Sequence, residues 1–263
     1  MAQLEDKAAD SGESSRAVVS LLPRGSTVLP PSIFSLKYLL DGEEVYESGS
    51  GSQTIRSGQM LIAPARQAFT VALRRPSAGL CLYFNLPLST FREIPTLRLN
   101  ASELALGRTI EQMATEALHA PSVDMQARLQ GVRQSIEDTL VEVAGFARKV
   151  GGVRSRTRRQ RLESLMAGRL YLENNGFRPV TLEEAARAAG ISAFHFSRQF
   201  SEVFGVSPVA YHEQVRLNHA KRLLEAGSSP TCVARDLGYS ELSAFSRSFR
   251  KRYGGPPSAV RPR

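Results

Sequence analysis

Two short stretches of the sequence repeat the same combination of hydroxyl and guanidinium groups. Ser197-Arg198 and Ser246-Arg247 lie 49 positions apart, and each pair is enclosed by two phenylalanines four residues apart. A guanidinium holds its N–H donors in a planar fork that matches the paired acceptors of a phosphate or of a guanine edge, and a hydroxyl both donates and accepts. These residue types therefore predict recognition of an anionic, hydrogen-bonding partner rather than the making or breaking of bonds.

Both stretches belong to a longer repeat within residues 181–257. The first half of each copy has an alanine, a glycine and a serine at matching positions. They are Ala186, Gly190 and Ser192 in the first copy, and Ala234, Gly238 and Ser240 in the second. These positions are offset by 48 residues, whereas the phenylalanines are offset by 49, so the second copy carries one extra residue at its turn. Repetition at a fixed period indicates one structural unit used twice.

Each copy has the features of a helix-turn-helix. A glycine tolerates the left-handed conformation at which a helix ends, and the serine two residues later is a preferred N-cap for the next helix. In that second helix Phe196, Phe200 and Phe204 recur every four residues, as Phe245 and Phe249 do in the other copy. This spacing predicts one buried face and leaves the opposite, polar face for an outside partner.

The residues between the copies predict a long connecting helix. Ser207-Pro208 supplies an N-cap and a first-turn proline, and Gly227 follows the last helical position, about Ala226. About 20 helical residues span about 30 Å. This length is close to one turn of B-DNA, about 34 Å, so two recognition helices held this far apart are expected to enter successive major grooves.

Charge is divided unevenly along the chain. The first 150 residues hold 15 basic and 16 acidic side chains, whereas residues 151–263 hold 19 and 9, a net charge of +10. The whole basic excess therefore lies in the part that contains the repeat. Such a concentration favours a polyanion as the partner of that part.

Site candidates follow from the exposed face of each second helix. The predicted base contacts are Ala193, Phe194, Ser197 and Arg198 in the first copy, and Glu241, Leu242, Ser243, Ser246 and Arg247 in the second. The predicted phosphate contacts are Ser192, Ser201, Ser240, Arg250, Lys251 and Arg252. The two arginines, Arg198 and Arg247, are the strongest candidates for guanine contacts, with a core salt bridge as the alternative for each.

The first part of the chain has the pattern of a β-rich domain. Apolar runs at 34–40, 60–63, 69–73 and 80–84 predict strands, with Val45 in another, and polar or glycine-containing stretches at 41–42, 48–52, 57–58 and 76–79 predict turns. Strands without helices between them indicate an antiparallel barrel or sandwich, with room for a small-molecule pocket. Glu43, Glu44 and Glu47 are expected on the solvated side of a hairpin.

A metal-dependent barrel enzyme would need inward-pointing histidines in this strand region. The four histidines are His119, His195, His212 and His219, and none lies there. No phosphate-binding glycine loop, nucleophile elbow or zinc-ligand cysteine spacing occurs either. We therefore expect no metal, no cofactor and no enzymatic activity.

Two helices are predicted after the strands, at about 102–119 and 123–150. The second has apolar residues at close to heptad spacing, including Leu129, Val132, Ile136, Leu140 and Val143. Two interpretations stay open: the helix packs on its own domain, or it pairs with its copy in a homodimer.

These observations predict four segments. They are a disordered tail at 1–16, a β-rich domain with two helices at 17–150, a basic linker at 151–161 and a double helix-turn-helix domain at 162–263. The linker holds Arg154, Arg156, Arg158, Arg159 and Arg161, which repel one another, and some of them are alternative phosphate contacts. With no signal peptide, no long apolar run and cysteines in apolar surroundings, we expect buried thiols, no membrane contact and a cytoplasmic location.

Residues 165–260 resemble the AraC/XylS family of bacterial transcription regulators. The resemblance rests on Arg216, Ala220, Leu223 and Leu224 after the first motif, and above all on the stretch from Ala234 to Pro257. It implies an α+β protein in which a cupin-like antiparallel β-barrel with two helices precedes an all-α domain with two helix-turn-helix motifs.

The resemblance also implies a function in transcription. The expected partners are double-stranded promoter DNA, a small-molecule effector in the N-terminal barrel, a second copy of the chain, and RNA polymerase if the protein is an activator. In one alternative the barrel serves only dimerisation or protein docking. In another it is a non-metal enzyme fused to a DNA-binding domain.

Overall fold

The computed structural model describes residues 16–29, 34–49, 51–63, 68–84, 94–104, 107–119, 125–151 and 155–260. Residues 1–15 of the predicted tail and 152–154 of the predicted linker lie outside these ranges. The chain divides into two compact units, residues 1–92 with 105–140, and residues 93–104 with 141–263. The predicted division into domains places its linker later, at 151–161, and stays a prediction.

Among the described residues of the first unit, eight strands and one helix lie wholly within it. The strands are β1 (Arg16–Leu22), β2 (Gly25–Leu29), β3 (Phe34–Asp41), β4 (Glu43–Ser48), β5 (Gly51–Arg56), β6 (Gln59–Ala63), β7 (Phe69–Leu73) and β8 (Ser77–Phe84). Within this unit one sheet has the order β1-β8-β3-β6 and the other β2-β7-β4-β5, with antiparallel pairing. Helix α1 (Gly107–His119) lies against β3 and β8.

The predicted class, α+β with an antiparallel N-terminal region before an all-helical C-terminal region, is confirmed. The cupin-like barrel is not confirmed, because the described strands pair within two separate sheets and no ladder among them joins the sheets into a closed cylinder. The turn predicted at 76–79 is also shorter than expected, since β8 already begins at Ser77.

The facing sides of the two sheets carry the apolar core of this unit. Its fully buried members include Leu39, Ile55 and Val71. In β7 buried and half-buried residues alternate, as a strand with one face on a core requires. The remaining core residues are Tyr46, Leu61, Ala63, Phe69 and Leu73.

One predicted surface residue of this unit is buried. Glu44 is fully enclosed, because on β4 it alternates with Glu43 and Glu47 and points to the opposite side. It accepts hydrogen bonds from Tyr46 Oη at 2.6 Å and Ser77 Oγ at 2.7 Å, and Lys37 Nζ lies 3.3 Å away. The prediction that Glu44 is solvated is therefore wrong, and a buried ion pair lies inside the domain.

Helix α2 (Met125–Lys149) contains the predicted heptad seam. All five candidates for a dimer seam are at most 6% exposed in the single chain: Leu129, Val132, Ile136, Leu140 and Val143. This burial supports the interpretation that the helix packs on its own chain, which the narrow apolar stripe also fits. The alternative that these residues form a dimer seam stays a prediction.

In the described part of the second unit, the regular structure is helical apart from one short strand. After β9 (Leu97–Asn100) and a 3₁₀ turn (Ala101–Glu103), its helices are α3 (Ser155–Asn174), α4 (Leu182–Ala189), α5 (Ala193–Phe204), α6 (Pro208–Glu225), α7 (Pro230–Asp236) and α8 (Leu242–Tyr253), with a last 3₁₀ turn at Pro257–Ala259. Helix α3 begins at Ser155, so residues 155–161 of the predicted basic linker are helical.

Helix α3 packs closely against the helices that follow it. A side chain at Gly168 would place its Cβ 2.4 Å from Phe196 Cε2, so the missing side chain lets α3 and α5 approach. At the next position, Arg169 Nε donates to Glu173 Oε1 at 2.9 Å and to the Tyr211 hydroxyl at 2.8 Å. Its guanidinium carbon lies 5.4 Å from the centre of the Phe204 ring. A buried arginine thus fixes α3 to the ends of α5 and α6.

Candidate nucleic-acid interface

The first helix pair, α4 and α5, forms as its capping residues predict. The Thr181 hydroxyl accepts from the Glu184 N–H, and the Glu184 carboxylate accepts from the Thr181 N–H at 2.8 Å, so the two residues form a capping box. Gly190 ends α4 with φ of 68°. Ser192 then caps α5 by accepting from the His195 N–H. We call α4 and α5 the first motif.

The second helix pair, α7 and α8, differs at its turn, and we call it the second motif. Ser229 caps α7, and Gly238 takes φ of 75° after it. The N-cap of α8 is Glu241, whose side chain makes no capping hydrogen bond. The predicted N-cap at Ser240 is therefore wrong, because the extra residue of this copy moves the start of the helix by one position.

Helix α6 joins the two motifs. It has 18 residues and is capped by Ser207, whose hydroxyl accepts from the Ala210 N–H, with Pro208 in the first turn. Gly227, with φ of 92°, follows its end. The predicted boundaries are thus confirmed to within a residue. A helix of this length spans about 27 Å, still near one turn of B-DNA.

Each motif buries the phenylalanine face of its second helix. Phe196 and Phe200 are fully buried with ring centres 5.3 Å apart, and Phe245 and Phe249 are buried with ring centres 5.6 Å apart. Burial of these rings fixes the rotation of α5 and α8 about their axes. The residues on the opposite side of each helix therefore face solvent.

Most predicted contact residues lie on these outward sides. The exposed ones are Ser192, Phe194, Arg198, Ser240, Glu241, Leu242, Ser243, Arg247, Arg250, Lys251 and Arg252, and the half-buried ones are Ala193, Ser197, Ser201 and Ser246. Phe194 is 72% exposed and belongs to no core, which is unusual for a phenylalanine. The core salt bridge, the alternative for both arginines, is not observed. Their contacts to DNA stay predictions.

The two outward faces carry different charges. Arg198 Nε lies 3.0 Å from Glu202 Oε1, with side chains 69% and 56% exposed. At the matching positions of α8, Arg247 is followed four residues later by Lys251. Among the described residues Arg247 has no hydrogen-bond or ion-pair partner. The first motif thus presents a paired arginine and the second an unpaired one.

Further polar groups order the second motif. The Ser243 hydroxyl donates to Glu241 Oε2 at 2.8 Å, so these two predicted contact residues hold each other at the start of α8. The Arg216 guanidinium carbon lies 4.6 Å from the centre of the Tyr239 ring, and Arg216 Nη2 donates to the Leu237 carbonyl. Arg216 thereby fixes the turn between α7 and α8 to α6.

Sequence reasoning missed Glu202 as part of the interface. The signal was present, since Glu202 follows Arg198 by four residues and such pairs meet on a helix surface.

Sequence reasoning also placed Cys232 in the interior, whereas this thiol is exposed. His212 is a packing residue, as expected, with its ring nitrogens 3.1 and 2.9 Å from the carbonyls of Leu172 and Arg178. Burial lowers the pKa of His212.

Within the described part of the chain, no three histidine, cysteine or carboxylate side chains come together in a way that would hold a metal ion. Of the helices described, none has the length and apolar character needed to cross a membrane.

Comparisons with known proteins centre on this region. A family model described as a helix-turn-helix domain matches residues 185–263. The HTH-type transcriptional regulator YbfI of Bacillus subtilis is 37% identical over 73 residues, which cover 28% of this chain and 26% of that protein. The virulence regulon transcriptional activator VirF of Yersinia enterocolitica is 34% identical over 92 residues, which cover 35% of this chain and 34% of that protein.

One solved structure matches a share of this chain close to that matched by VirF. It is described as a probable AraC family transcriptional regulator from Rhodopseudomonas palustris, is 33% identical, and covers 37% of this chain and 93% of that chain with a TM-score of 0.35. The chain thus spans about a quarter to a third of the length of the curated relatives it matches.

Proposed function

We propose that this chain, whose C-terminal part belongs to the AraC type of helix-turn-helix domain, regulates transcription by binding promoter DNA through both motifs. One observation carries the proposal. Each motif buries a phenylalanine pair and turns an arginine, Arg198 or Arg247, to the opposite side of its second helix. That arrangement leaves a guanidinium at the centre of a solvent-facing helix surface in the basic part of the chain.

The proposed mode of binding assigns a role to each class of residue. Helices α5 and α8 lie in successive major grooves on one side of the duplex, with Arg198 and Arg247 donating to guanine O6 and N7. Serines at the helix starts, together with Arg250, Lys251 and Arg252, contact phosphates and set the register. Helix α6, about 27 Å long, sets the spacing between the grooves.

For the first unit we propose a sensory role. Its two packed sheets enclose an apolar core in which the buried Lys37–Glu44 pair is a polar element for recognising a ligand or for fixing the fold. Occupancy by a small-molecule effector would change how the helix-turn-helix domain engages its half-sites. In the alternative, this unit serves only dimerisation or protein docking. A thermal-shift screen of metabolites against the full chain separates the two, since a docking module gives no stabilised hit.

Two further partners belong to the proposal. A homodimer would place four motifs on DNA, and light scattering over a range of concentrations tests it through a mass that rises to twice that of the chain. RNA polymerase is a partner if the protein activates transcription. If light scattering gives the mass of one chain at every concentration, the protein is not a homodimer, and the proposal that a single chain binds DNA is unaffected.

The test of DNA binding compares a promoter fragment, found by genome-wide mapping, with a random duplex. We expect the wild type to prefer the promoter by about 10³-fold or more at physiological salt. Arg198→Ala and Arg247→Ala should each weaken promoter binding by about 1–3 kcal/mol. The matched control is Arg133→Ala, because Arg133 forms the same kind of ion pair with Glu137, at 2.8 Å, on α2. Wild-type binding without preference, or variants equal to the control, would contradict the proposal.

A further inference from the structure

A cleft of about 220 Å³ lies beside α5 in the second unit. The end of α2 and one side of α3 form its other walls. Its polar lining consists of Lys149, Arg161, His195, Arg198, Gln199 and Glu202. Lys149 and Arg161 precede the residues that the helix-turn-helix family model matches, 185–263, and neither belongs to the predicted base contacts.

The lining is positively charged. Three cationic side chains, Lys149, Arg161 and Arg198, face one carboxylate, Glu202, which already pairs with Arg198 at 3.0 Å. Arg161 Nη1 donates to the Gly151 carbonyl at 2.6 Å, so its guanidinium is held at the wall of the cleft. This bond uses one of five guanidinium N–H donors. The charge and the remaining donors suit an oxyanion.

The cleft lies beside the outward face of α5. Successive residues of a helix are about 100° apart around its axis. On this basis His195 and Gln199 stand between the buried phenylalanines and the outward side that carries Phe194 and Arg198. When a recognition helix lies in a major groove, the sugar-phosphate backbones run along its flanks. The cleft therefore lies where a backbone phosphate would pass.

We propose that this cleft binds a phosphate of the DNA backbone, with Lys149 and Arg161 as its ligands. The inference rests on the proposed function, since it places the cleft next to a groove occupied by α5. It extends the protein's footprint beyond the helix-turn-helix residues to the end of α2 and the first half of α3. Free inorganic phosphate has the same chemistry and is the other source that the experiment must separate.

The experiment measures the salt dependence of promoter binding by fluorescence anisotropy between 50 and 200 mM salt, using the full chain and the variants Lys149→Gln and Arg161→Gln. Removal of one phosphate-binding side chain should reduce the slope of log affinity against log salt by about 0.9. The ratio of the affinities at 50 and 200 mM salt then becomes about threefold smaller. Base preference should stay that of the wild type, because a phosphate carries no sequence information.

The matched control is Arg148→Gln, which removes one exposed charge next to Lys149 but outside the cleft. Its slope should equal that of the wild type. Lys149→Gln is the decisive variant, since Arg161 also holds the Gly151 carbonyl and its loss affects the fold; thermal unfolding of each variant shows whether the fold is kept. If Lys149→Gln gives the same slope as Arg148→Gln, the inference is wrong.

A second arm uses inorganic phosphate alone. If phosphate stabilises the wild type but not Lys149→Gln, and the salt slope of Lys149→Gln on DNA is unchanged, the cleft binds the free anion and the inference is wrong. A wild type that ignores the promoter altogether would instead remove the proposed function. The two failures are therefore distinguishable.

Discussion

The first and second motifs bury equivalent phenylalanines but present different charges to solvent. When Phe196 is aligned with Phe245, Glu202 matches Lys251 and the buried Val203 matches the exposed Arg252. Core positions are fixed by packing, whereas outward positions are free to vary with what each helix contacts. The comparison indicates that both motifs share one scaffold and differ in how strongly they attract a polyanion.

The difference has a direct consequence for DNA binding. In the first motif Glu202 repels phosphates and competes for Arg198, although an exposed pair of this kind is worth at most about 1 kcal/mol. In the second motif Arg250, Lys251 and Arg252 add charge around Arg247. We therefore expect the second motif to supply most of the salt-dependent affinity and the first motif to contribute mainly through direct contacts.

The largest expected effect tests the shared scaffold. Phe196→Ala and Phe245→Ala should each lower the free energy of unfolding by about 3–5 kcal/mol, because both rings are fully buried. Denaturant unfolding of the full chain measures both. A loss below about 1 kcal/mol in one variant with the full loss in the other would show that the two cores are not equivalent.

The next effect tests the difference in charge. Lys251→Glu should weaken promoter binding and flatten its salt dependence, while Glu202→Lys should do the reverse. Removing or adding one cation that binds a phosphate changes the ratio of affinities at 50 and 200 mM salt by about threefold. Arg108→Glu, an exposed residue of α1, is the control. If Lys251→Glu and Glu202→Lys both changed the salt dependence no more than Arg108→Glu does, the surface charges of the two motifs would not affect DNA binding.

A smaller effect tests the helix starts. Thr181→Ala removes a complete capping box and should cost about 1 kcal/mol of unfolding free energy. Glu241→Ala should change it by less than about 0.5 kcal/mol, because the Glu241 side chain makes no capping bond. Urea unfolding compares the two. If Glu241→Ala costs as much as Thr181→Ala, the start of α8 depends on that side chain after all.

The smallest expected effect is one of pH. Hydrogen bonds from Arg178 and Thr181 lower the pKa of Glu184 from 4.5 to about 2 in the folded chain. A lowered folded pKa adds stability that is complete above pH 4.5 and is lost as the pH falls towards 2. Glu184→Gln should therefore reduce the acid dependence of unfolding between these values. Unfolding midpoints at pH 5, 4 and 3 measure it, and parallel curves for variant and wild type would contradict it.

Sequence reasoning succeeded where structure is determined locally. The cap at Ser207 and the stop at Gly227 each depend on residues within a few positions. The phenylalanine spacing likewise gave the buried faces of α5 and α8. The start of α8 was missed because Ser240 and Glu241 both follow the turn. The sequence does not show which of the two is the N-cap once the second copy has one extra residue.

Sequence reasoning failed where distant residues decide the outcome. Glu44 is buried because Lys37 and Ser77 meet it from other strands, and no short stretch contains all three. Strand β5 was missed since Ile55 is its one buried residue, so its sequence has no apolar alternation. The seam of α2 left two interpretations open because an apolar stripe has the same spacing whether its own chain or a second copy covers it.

The most direct measurement of the central claim is selection of preferred sequences from a random duplex pool by the wild type, Arg198→Ala and Arg247→Ala. The account predicts a wild-type site with two specified regions about 10 base pairs apart, one turn of B-DNA. Arg198→Ala should relax the preference in one region and Arg247→Ala in the other. If both variants select the same sequence as the wild type, these arginines do not contact bases and the account is wrong.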